Sequence, residues 1–263
     1  MSLDLDAAMF RSGTTVKQTT ATMARRLKGV LNRQMKYTEI GNQAIFEGDI
    51  VLGTIAEIQA AEAAADSRGI GIIGANFRWK DGKVPFVIGD EGVRARVEAA
   101  VAHWQQRTPF TFVAHTNEPD FVSFQALDGC FSRVGRQGGV QVVSIGTGCT
   151  AGSAIHEIGH SLGLWHEQSR SDRDNFIQIV EANIDPMFLS NFDKHVLDGE
   201  DLGPYDFGSI MHYPATAFSV NGQPTILAKS GAPIGQRDGL SKGDLAGIRL
   251  MYPQLDWSKF PNT

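Results

Sequence analysis

Apolar side chains recur at helical spacing in the middle of the chain and predict an amphipathic helix over residues 90–107. The side chains on its inner face are Val93, Val97, Val101 and Trp104. Short apolar runs around this segment predict three strands: Lys83–Ile88, residues 110–114 and Phe121–Gln125. The pattern therefore predicts an N-terminal lobe in which a mixed sheet packs against helices.

Two more helices are predicted in the second half of the chain. The first covers residues 153–164, and either Thr150 or Ser153 could cap its N-terminus. The second is Lys242–Met251, with Ser241 placed to act as its N-cap. The rest of this half is predicted to be mostly irregular, so the chain as a whole favours an α+β fold.

Residues 1–68 differ in character from the rest of the chain. Residues 16–37 are rich in threonine, lysine and arginine and show weak helical periodicity, and the alanine-rich residues 58–66 predict a helix or a linker. Glycines punctuate residues 69–74, which suits a boundary. We therefore expect an N-terminal region, 1–68, and a main domain, 69–263.

Composition excludes some classes of partner. The chain has 263 residues, of which 42% are hydrophobic, as is ordinary for a folded soluble protein. Its net charge of −5 offers no basic footprint for nucleic acid. No apolar run approaches the length of a transmembrane helix, so we expect neither nucleic acid nor a membrane as partner. We also expect a monomer.

The most specific chemical signal is a histidine motif in the predicted helix over residues 153–164. His156 and His160 are four residues apart, so on a helix they share one face and can share a metal ion. Glu157 is placed to take a proton from a metal-bound water. Gly163 tolerates the left-handed conformation that ends a helix, so the chain can turn back and bring His166 to the same ion.

Three imidazoles and a water form an open catalytic zinc site rather than a closed structural one. By chance, the pattern His-Glu-x-x-His is expected in on the order of one chain in a hundred of this length. Requiring the glycine and the third histidine as well makes a chance match rarer by roughly a thousandfold. We therefore predict one Zn²⁺ per chain and hydrolysis of internal peptide bonds. The alternatives are an inactive zinc-binding module, against which the presence of Glu157 argues, and a hydrolase of non-protein amides.

The pattern His-Glu-x-x-His-x-x-Gly-x-x-His resembles that of the metzincin peptidases, and further residues resemble the astacin family among them. Residues 205–213 read Tyr-Asp-Phe-Gly-Ser-Ile-Met-His-Tyr, Glu167 follows the third histidine, and residues 170–175 also match that family. The resemblance covers about residues 70–253. It implies an astacin-like, two-lobed α+β catalytic domain with a mixed sheet, an active-site helix and a methionine turn.

The resemblance implies a role for each reactive residue. The zinc ligands would be His156, His160 and His166. Glu157 would act as general base and then as general acid to the leaving amine. Tyr213 would be a further zinc ligand in the resting enzyme, able to swing away and stabilise the oxyanion of the tetrahedral intermediate.

Other matched residues would support or extend the site. Met211 would form a hydrophobic floor under the zinc, and Glu167 would receive the α-amino group of the mature N-terminus, since a buried carboxylate needs a charged partner. Arg237 matches a basic residue of the S1′ pocket and implies a preference for an acidic P1′ side chain. The alternative for Arg237 is an exposed surface arginine.

The two cysteines, Cys130 and Cys149, flank a segment that reads as a strand, a glycine turn and a second strand. Either a disulfide or two free buried thiols would suit such positions. The family has a disulfide at this place, so the resemblance implies that they pair and that the protein is secreted. A second disulfide common in the family has no cysteines here.

Residues 46–50, Phe-Glu-Gly-Asp-Ile, resemble the Phe-x-Gly-Asp element of astacin propeptides. The resemblance implies that Asp49 binds the zinc and displaces the catalytic water, and that residues 1–68 are an inhibitory propeptide. Gly48 would let the backbone approach the metal closely. On its own, Gly-Asp is usually a surface turn. Maturation near residues 69–71 would suit a trypsin-like activating protease at Arg68–Gly69.

Four histidines fall outside the motif. His212 is not expected to bind the metal although it lies between Met211 and Tyr213. His103, His115 and His195 have no partner at metal-ligand spacing, so we interpret them as satisfied or solvated side chains.

Overall fold

The computed structural model describes residues 18–23, 33–63, 75–196 and 199–260. In this part of the chain the strands are β1 Gln18–Met23, β2 Arg33–Ile40, β3 Gln43–Phe46, β4 Ile50–Thr54, β5 Lys83–Ile88, β6 Thr111–Ala114, β7 Phe121–Gln125, β8 Cys130–Ser132, β9 Val140–Ile145, β10 Ile177–Ile179 and β11 Ile226–Ala228. The α-helices are α1 Ile55–Ala63, α2 Arg94–Arg107, α3 Ala151–Leu162 and α4 Lys242–Met251.

Nine of these strands form one mixed sheet in the order β1-β2-β3-β4-β8-β9-β7-β5-β6. The first four strands are antiparallel to one another. Strand β4 then joins the rest of the sheet by parallel pairing with β8, where Ile50 faces Ser132. Strands β8 and β9 form the predicted antiparallel hairpin, and Cys130 and Cys149 form the predicted disulfide. The N-terminal region therefore extends the sheet of the main domain.

The weak helical periodicity of residues 16–37 does not correspond to a helix in the described part of this segment, which forms strand β1 and most of β2. Three of the six residues of β1 are threonines, whose branched side chains favour extended backbone. The helix predicted over residues 58–66 is present as α1 but starts at Ile55. Thr54 and Glu57 cap it reciprocally, each accepting a hydrogen bond from the backbone of the other. Residues 64–66 lie outside the described part of the chain.

The main core lies between the sheet and helices α2 and α3. The predicted inner face of α2 is buried, and Trp104 donates its indole N–H to the carbonyl of Ile155 at 3.1 Å, which ties α2 to α3. The first turn of the predicted helix is instead a 3₁₀ turn, Glu91–Val93. Its N-cap, Asp90, accepts a hydrogen bond from the backbone N–H of Gly92 at 2.7 Å.

Helix α3 begins two residues before the predicted start. Thr150 is its N-cap, and Thr150 and Ser153 each bond the backbone N–H of the other, so the two candidate caps act together. The helix ends at Gly163, whose φ of 110° lies in the left-handed region that favours glycine. Near its start, a Cβ on Gly152 would fall 1.8 Å from the carbonyl oxygen of Arg237, so only glycine allows this close approach.

The second lobe is held by a smaller cluster of buried aromatic and aliphatic side chains around Tyr213, Phe192 and Ile226. It is mostly irregular apart from the short β10–β11 pair and helix α4, whose bounds and Ser241 cap are those predicted. Within the described residues, no helix is both long and apolar enough to cross a bilayer.

Candidate metal centre and active site

Helix α3 and the turn after it bring three histidines to one point. His156 and His160 project from the same face of α3, and the chain reverses at Gly163 to bring His166 beside them. The carboxylate of Asp49, from the N-terminal region, completes the cluster. One ligand atom from each of these four buried side chains lies within 4.8 Å of the others.

Each imidazole is oriented by a bond to its Nδ1 atom. His156 Nδ1 lies 2.8 Å from the carbonyl oxygen of Ile210, and His160 Nδ1 lies 2.8 Å from that of Leu164. His166 Nδ1 lies 2.8 Å from a carboxylate oxygen of Glu47. Because all three partners are acceptors, each Nδ1 carries a proton and each Nε2 is directed at the centre of the cluster, where a metal ion would take its lone pair.

The donor set fits zinc. Tetrahedral zinc with bonds of about 2.0–2.1 Å to nitrogen and oxygen sets its ligand atoms about 3.3 Å apart. Asp49 lies 3.2 Å from His156 Nε2, 3.1 Å from His166 Nε2 and 3.8 Å from His160 Nε2. Among the described residues, neither His160 Nε2 nor Asp49 Oδ1 has a hydrogen-bond partner. Such buried atoms are rare unless an ion satisfies them.

The charges around His166 also suit a cation. Burial lowers the pKa of His166, but the carboxylates of Asp49 and Glu47 on either side raise it to about 9. Burial raises the pKa of Asp49, yet its interactions with His166 and His156 hold it well below its ordinary value. Two ionised carboxylates thus meet at one imidazole, and a divalent ion at the cluster supplies the balancing positive charge.

Asp49 is carried to the cluster by the turn between β3 and β4. Gly48 in this turn has a φ of 83°, a left-handed conformation that suits glycine. The carbonyl of Asp49 accepts a hydrogen bond from the backbone N–H of Ser132 at 2.8 Å, which starts the pairing of β4 with β8. The segment that carries Asp49 is therefore part of the sheet immediately before and after this turn.

Glu157 is fully buried on α3 beside the cluster. Within the described part of the chain its two carboxylate oxygens have no hydrogen-bond partner. Burial and, secondarily, the charge of Asp49 raise the pKa of Glu157 well above its ordinary value. Glu157 is thus a buried carboxyl group next to the metal position, and no hydrogen bond to the described residues occupies it.

The methionine turn is adjacent to the cluster, since the carbonyl of Ile210 lies 2.8 Å from His156 Nδ1. Met211 is buried, and its carbonyl accepts the backbone N–H of Glu167 at 3.2 Å. The ring of Tyr213 packs on His166 with centroids 4.6 Å apart, and its hydroxyl donates to the carbonyl of Glu47. In this structure Asp49, and not Tyr213, lies at the fourth position, so a ligand role for Tyr213 stays a prediction for a form without residues 46–49.

The comparison with protein families agrees with this geometry. The family described as "Astacin", a family of peptidases, matches residues 72–253. The chain belongs to the astacin family. Its zinc cofactor and its metzincin-type α+β fold are therefore confirmed.

Named relatives include zinc proteinases of animals. "Zinc metalloproteinase nas-13" of Caenorhabditis elegans is 36% identical over 227 residues, which are 80% of this chain and 50% of that protein. "High choriolytic enzyme 1" of Oryzias latipes is 43% identical over 178 residues, which are 64% of this chain and 65% of that protein. The chain thus spans between half and two thirds of the length of these two curated relatives.

A solved structure from the same family has the same fold. It is that of high choriolytic enzyme 1, described as a hatching enzyme zinc-protease from the medaka fish Oryzias latipes. The match has a TM-score of 0.62 and 40% sequence identity, and it covers 68% of this chain and 92% of that one.

Glu167, which the astacin resemblance makes the partner of the mature N-terminus, lies mostly buried next to a cavity of about 80 Å³. Its carboxylate accepts the backbone N–H of Asp206 at 2.7 Å, and the nearest cation, Arg170, is 3.7 Å away. Burial raises the pKa of Glu167 to about 8. The cavity is also lined by Asp206 and Asp244, so it is rich in carboxylates.

Arg237 is not an exposed surface residue in this astacin domain. One terminal nitrogen of its guanidinium donates to the carbonyls of Ile210, His212 and Gln236, at 2.9, 3.0 and 2.9 Å. Its positive charge lowers the pKa of Glu157, against the larger effect of burial. Arg237 thus braces the methionine turn, and its charge acts on the carboxyl group of Glu157.

Each of the remaining histidines has a hydrogen-bond partner in this structure. His212 lies 2.7 Å from the hydroxyl of Tyr205. His103 Nε2 accepts the backbone N–H of Leu240 at 3.0 Å, and His115 Nε2 lies 3.0 Å from the carbonyl of Glu118. His195 is buried and bonded to Glu47.

Sequence reasoning missed Glu47 and the importance of His195. Glu47 is fully buried and bonds both His166 and His195. Burial raises the pKa of Glu47, but the two histidines hold it below its ordinary value. Glu47 is the x of the Phe-x-Gly-Asp element, a position at which that pattern specifies no residue type. His195 lies 148 residues further along the chain. No local sequence pattern therefore pointed to either residue.

Proposed function

We propose that this chain is a zinc-dependent endopeptidase made as a latent zymogen. The observation that carries the proposal is the insertion of Asp49 among His156, His160 and His166, next to the unbonded carboxyl of Glu157. Three imidazoles leave one position for chemistry, and Asp49 fills it in this form.

The proposed reaction is hydrolysis of an internal peptide bond. Zinc, when bound, polarises the scissile carbonyl and lowers the pKa of a water toward about 7. Glu157 takes the proton of the attacking water and later delivers it to the leaving amine. The hydroxyl of Tyr213, which donates to a peptide carbonyl in this structure, donates to the developing oxyanion.

Latency is proposed to have two physical causes. Asp49 occupies the position that the attacking water needs. Strand β4 also pairs with β8, which without β1–β4 is one of the two edge strands of the main-domain sheet, and a peptide substrate would add to β8 as an extra strand. Both obstacles belong to residues 1–68, the proposed propeptide, and residues 69–263 are the proposed catalytic domain.

Activation is proposed to be a cut by a trypsin-like protease, at Arg68–Gly69, which lies outside the described residues. The cavity beside Glu167 supports this interpretation, because a buried carboxylate with a raised pKa gains a partner when a new α-ammonium group enters. The liberated N-terminus would therefore dock at Glu167.

We further propose that Arg237 favours substrates with an acidic P1′ side chain. Its charge reaches Glu157, so it lies near the bond to be cut. A carboxylate on the substrate would be attracted by the guanidinium. If Arg237→Ala leaves the preference for acidic P1′ residues unchanged, this assignment is wrong.

The compartment is proposed to be extracellular. The disulfide between Cys130 and Cys149 supports this, because such bonds persist mainly in oxidising environments. The expected partners are a peptide or protein substrate and the activating protease. A monomeric state stays a prediction.

The test is hydrolysis of a quenched peptide with an acidic P1′ residue, measured before and after limited trypsin treatment, with Glu157→Ala as control. Activity that appears only after trypsin, and never in the variant, would support both the mechanism and latency. Full activity of the uncut chain would contradict the proposed latency but not the proposed peptidase activity. Zinc binding without activity in either form would favour a binding module.

A further inference from the structure

We propose that the catalytic domain carries a carboxylate pocket, formed by His166, His195 and Ser169, which binds an acidic side chain of the peptide substrate within two residues of the scissile bond. Glu47 fills this pocket in the zymogen. The inference rests on the proposed function, since the pocket opens to substrate only when residues 1–68 leave.

Three donors of the main domain converge on the carboxylate of Glu47. His166 Nδ1 lies 2.8 Å from Oε2, and His195 Nε2 lies 2.8 Å from Oε1. The hydroxyl of Ser169 lies 3.4 Å from Oε1. Glu47 and all three donor residues are buried, so the site is shaped to hold a desolvated carboxylate.

His195 is held in place by residues of the main domain. The ring of His195 stacks on Trp165 with centroids 4.0 Å apart. Its backbone N–H donates to the carbonyl of Ser169 at 2.7 Å. Phe46, from the N-terminal region, packs on this ring in a T-shaped arrangement, with centroids 5.9 Å apart. Loss of residues 1–68 would therefore uncover His195 and leave its contacts with Trp165 and Ser169 in place.

The pocket is selective for an acceptor. His166 presents Nε2 to the metal position, so its Nδ1 is a donor in any zinc-bound form. An anionic oxygen is the strongest acceptor for such N–H groups, whereas an apolar side chain would offer no acceptor to either histidine. A glutamate side chain fits because Glu47 is itself the observed occupant.

The distance to the metal position limits where the acidic residue stands in the substrate. Glu47 is two residues from Asp49, whose carboxylate lies at the fourth ligand position. Two residues of extended chain span at most about 7 Å. A substrate whose carbonyl replaces the carboxylate of Asp49 therefore brings a side chain one or two residues away within reach of His195.

The test uses the full chain after activation by trypsin and a set of quenched peptides that carry Glu or Leu at each position from P2 to P2′. We expect kcat/KM to be about tenfold higher for Glu at one of these positions. His195→Leu should reduce this ratio to about one, and His195→Gln, which keeps an N–H donor, should restore most of it. His115→Gln is the control, since His115 lies outside the pocket.

The variant Arg237→Ala distinguishes a Glu preference that comes from the pocket from one that comes from the proposed contact of Arg237 with the P1′ side chain. If the Glu preference disappears in Arg237→Ala and persists in His195→Leu, the pocket plays no part and the inference is wrong. An active enzyme with no Glu preference at any of these positions would equally overturn it.

A binding measurement separates this inference from the proposed function. Trypsin-treated Glu157→Ala is titrated with a labelled Glu peptide and its Leu counterpart, with and without His195→Leu. Tighter binding of the Glu peptide that depends on His195 supports the pocket even if the wild-type protein hydrolyses nothing. Equal binding of both peptides contradicts the pocket whatever the activity.

Discussion

Gly159 and Met211 touch so closely that a Cβ atom on Gly159 would lie 2.8 Å from the sulfur of Met211. Gly159 stands on α3 directly before His160, so the methionine turn packs against the helix at the level of the zinc ligands. The glycine thus sets how near the two parts of the site can come.

Gly159→Ala should therefore destabilise the protein relative to a matched helical change. In the matched variant Gly247→Ala, the new methyl group meets only Leu202, at 3.6 Å. The change from glycine to alanine also increases the helix propensity at this position. We expect Gly159→Ala to be less stable than Gly247→Ala by about 1–3 kcal/mol, because it overpacks a buried contact. Urea unfolding of both variants measures this difference, and equal stabilities would show that Met211 moves aside at no cost.

Asp49→Ala should give the uncut chain peptidase activity. The substitution removes the carboxylate that lies 3.1–3.2 Å from His156 and His166, so the fourth position becomes open to water. We expect at least about a tenfold gain over the uncut wild-type chain, which corresponds to about 1.4 kcal/mol. The control is Asp128→Ala, on an exposed turn. An uncut Asp49→Ala chain as inactive as the control would contradict the latch.

Zinc removal should destabilise the full chain. Asp49 and the three histidines come from two parts of the chain, so an ion bound by all four stabilises only the folded state. At a free zinc concentration of about 100 times Kd the gain is about 2.7 kcal/mol. Thermal unfolding with and without a chelator measures it, and His160→Ala should show a much smaller shift. An identical shift in His160→Ala would place the ion elsewhere.

Stability should fall in mild acid partly through His103. Burial lowers the pKa of His103 to about 4, with a smaller contribution from Arg107. Because the folded pKa lies below the unfolded value near about 6.5, the unfolded state binds more protons between these values. The contribution of His103 is thus present above about pH 6.5 and is lost as the pH falls toward about 4.

His103→Gln tests this pH dependence, since its amide oxygen can still accept the N–H of Leu240. We expect the melting temperature of the variant to change less than that of the wild type between about pH 6.5 and about pH 4. Parallel profiles for the two proteins would rule out His103 as a source of the acid sensitivity.

Removing the disulfide should cost about 3 kcal/mol. Cys130 and Cys149 are 19 residues apart, and closing a loop of this size removes that much entropy from the unfolded chain. The double variant with serine at both positions should show the loss in urea unfolding and should keep the zinc-dependent shift. A loss well below about 1 kcal/mol would mean that the unfolded state is already constrained.

Local signals in the sequence predicted the main-domain helices and the clustering of His156, His160 and His166. Helix α4 has the predicted bounds because a serine cap and a helical apolar pattern are both read within a few residues. Helix α3 starts two residues early because Thr150 and Ser153 cap it together, a choice that backbone geometry decides. The spacing of His156 and His160 implied a shared ion because helical periodicity alone sets their direction.

The sequence by itself thus determined the features that depend on short-range periodicity, caps and a specific motif. Only the tertiary structure decided that β1–β4 extend the main-domain sheet and that Glu47 bonds His166 and His195. The bonds of Glu47 join residues more than a hundred positions apart, so no local pattern encodes them. They form because a buried carboxylate must find donors, and the packed domain supplies those donors at one point.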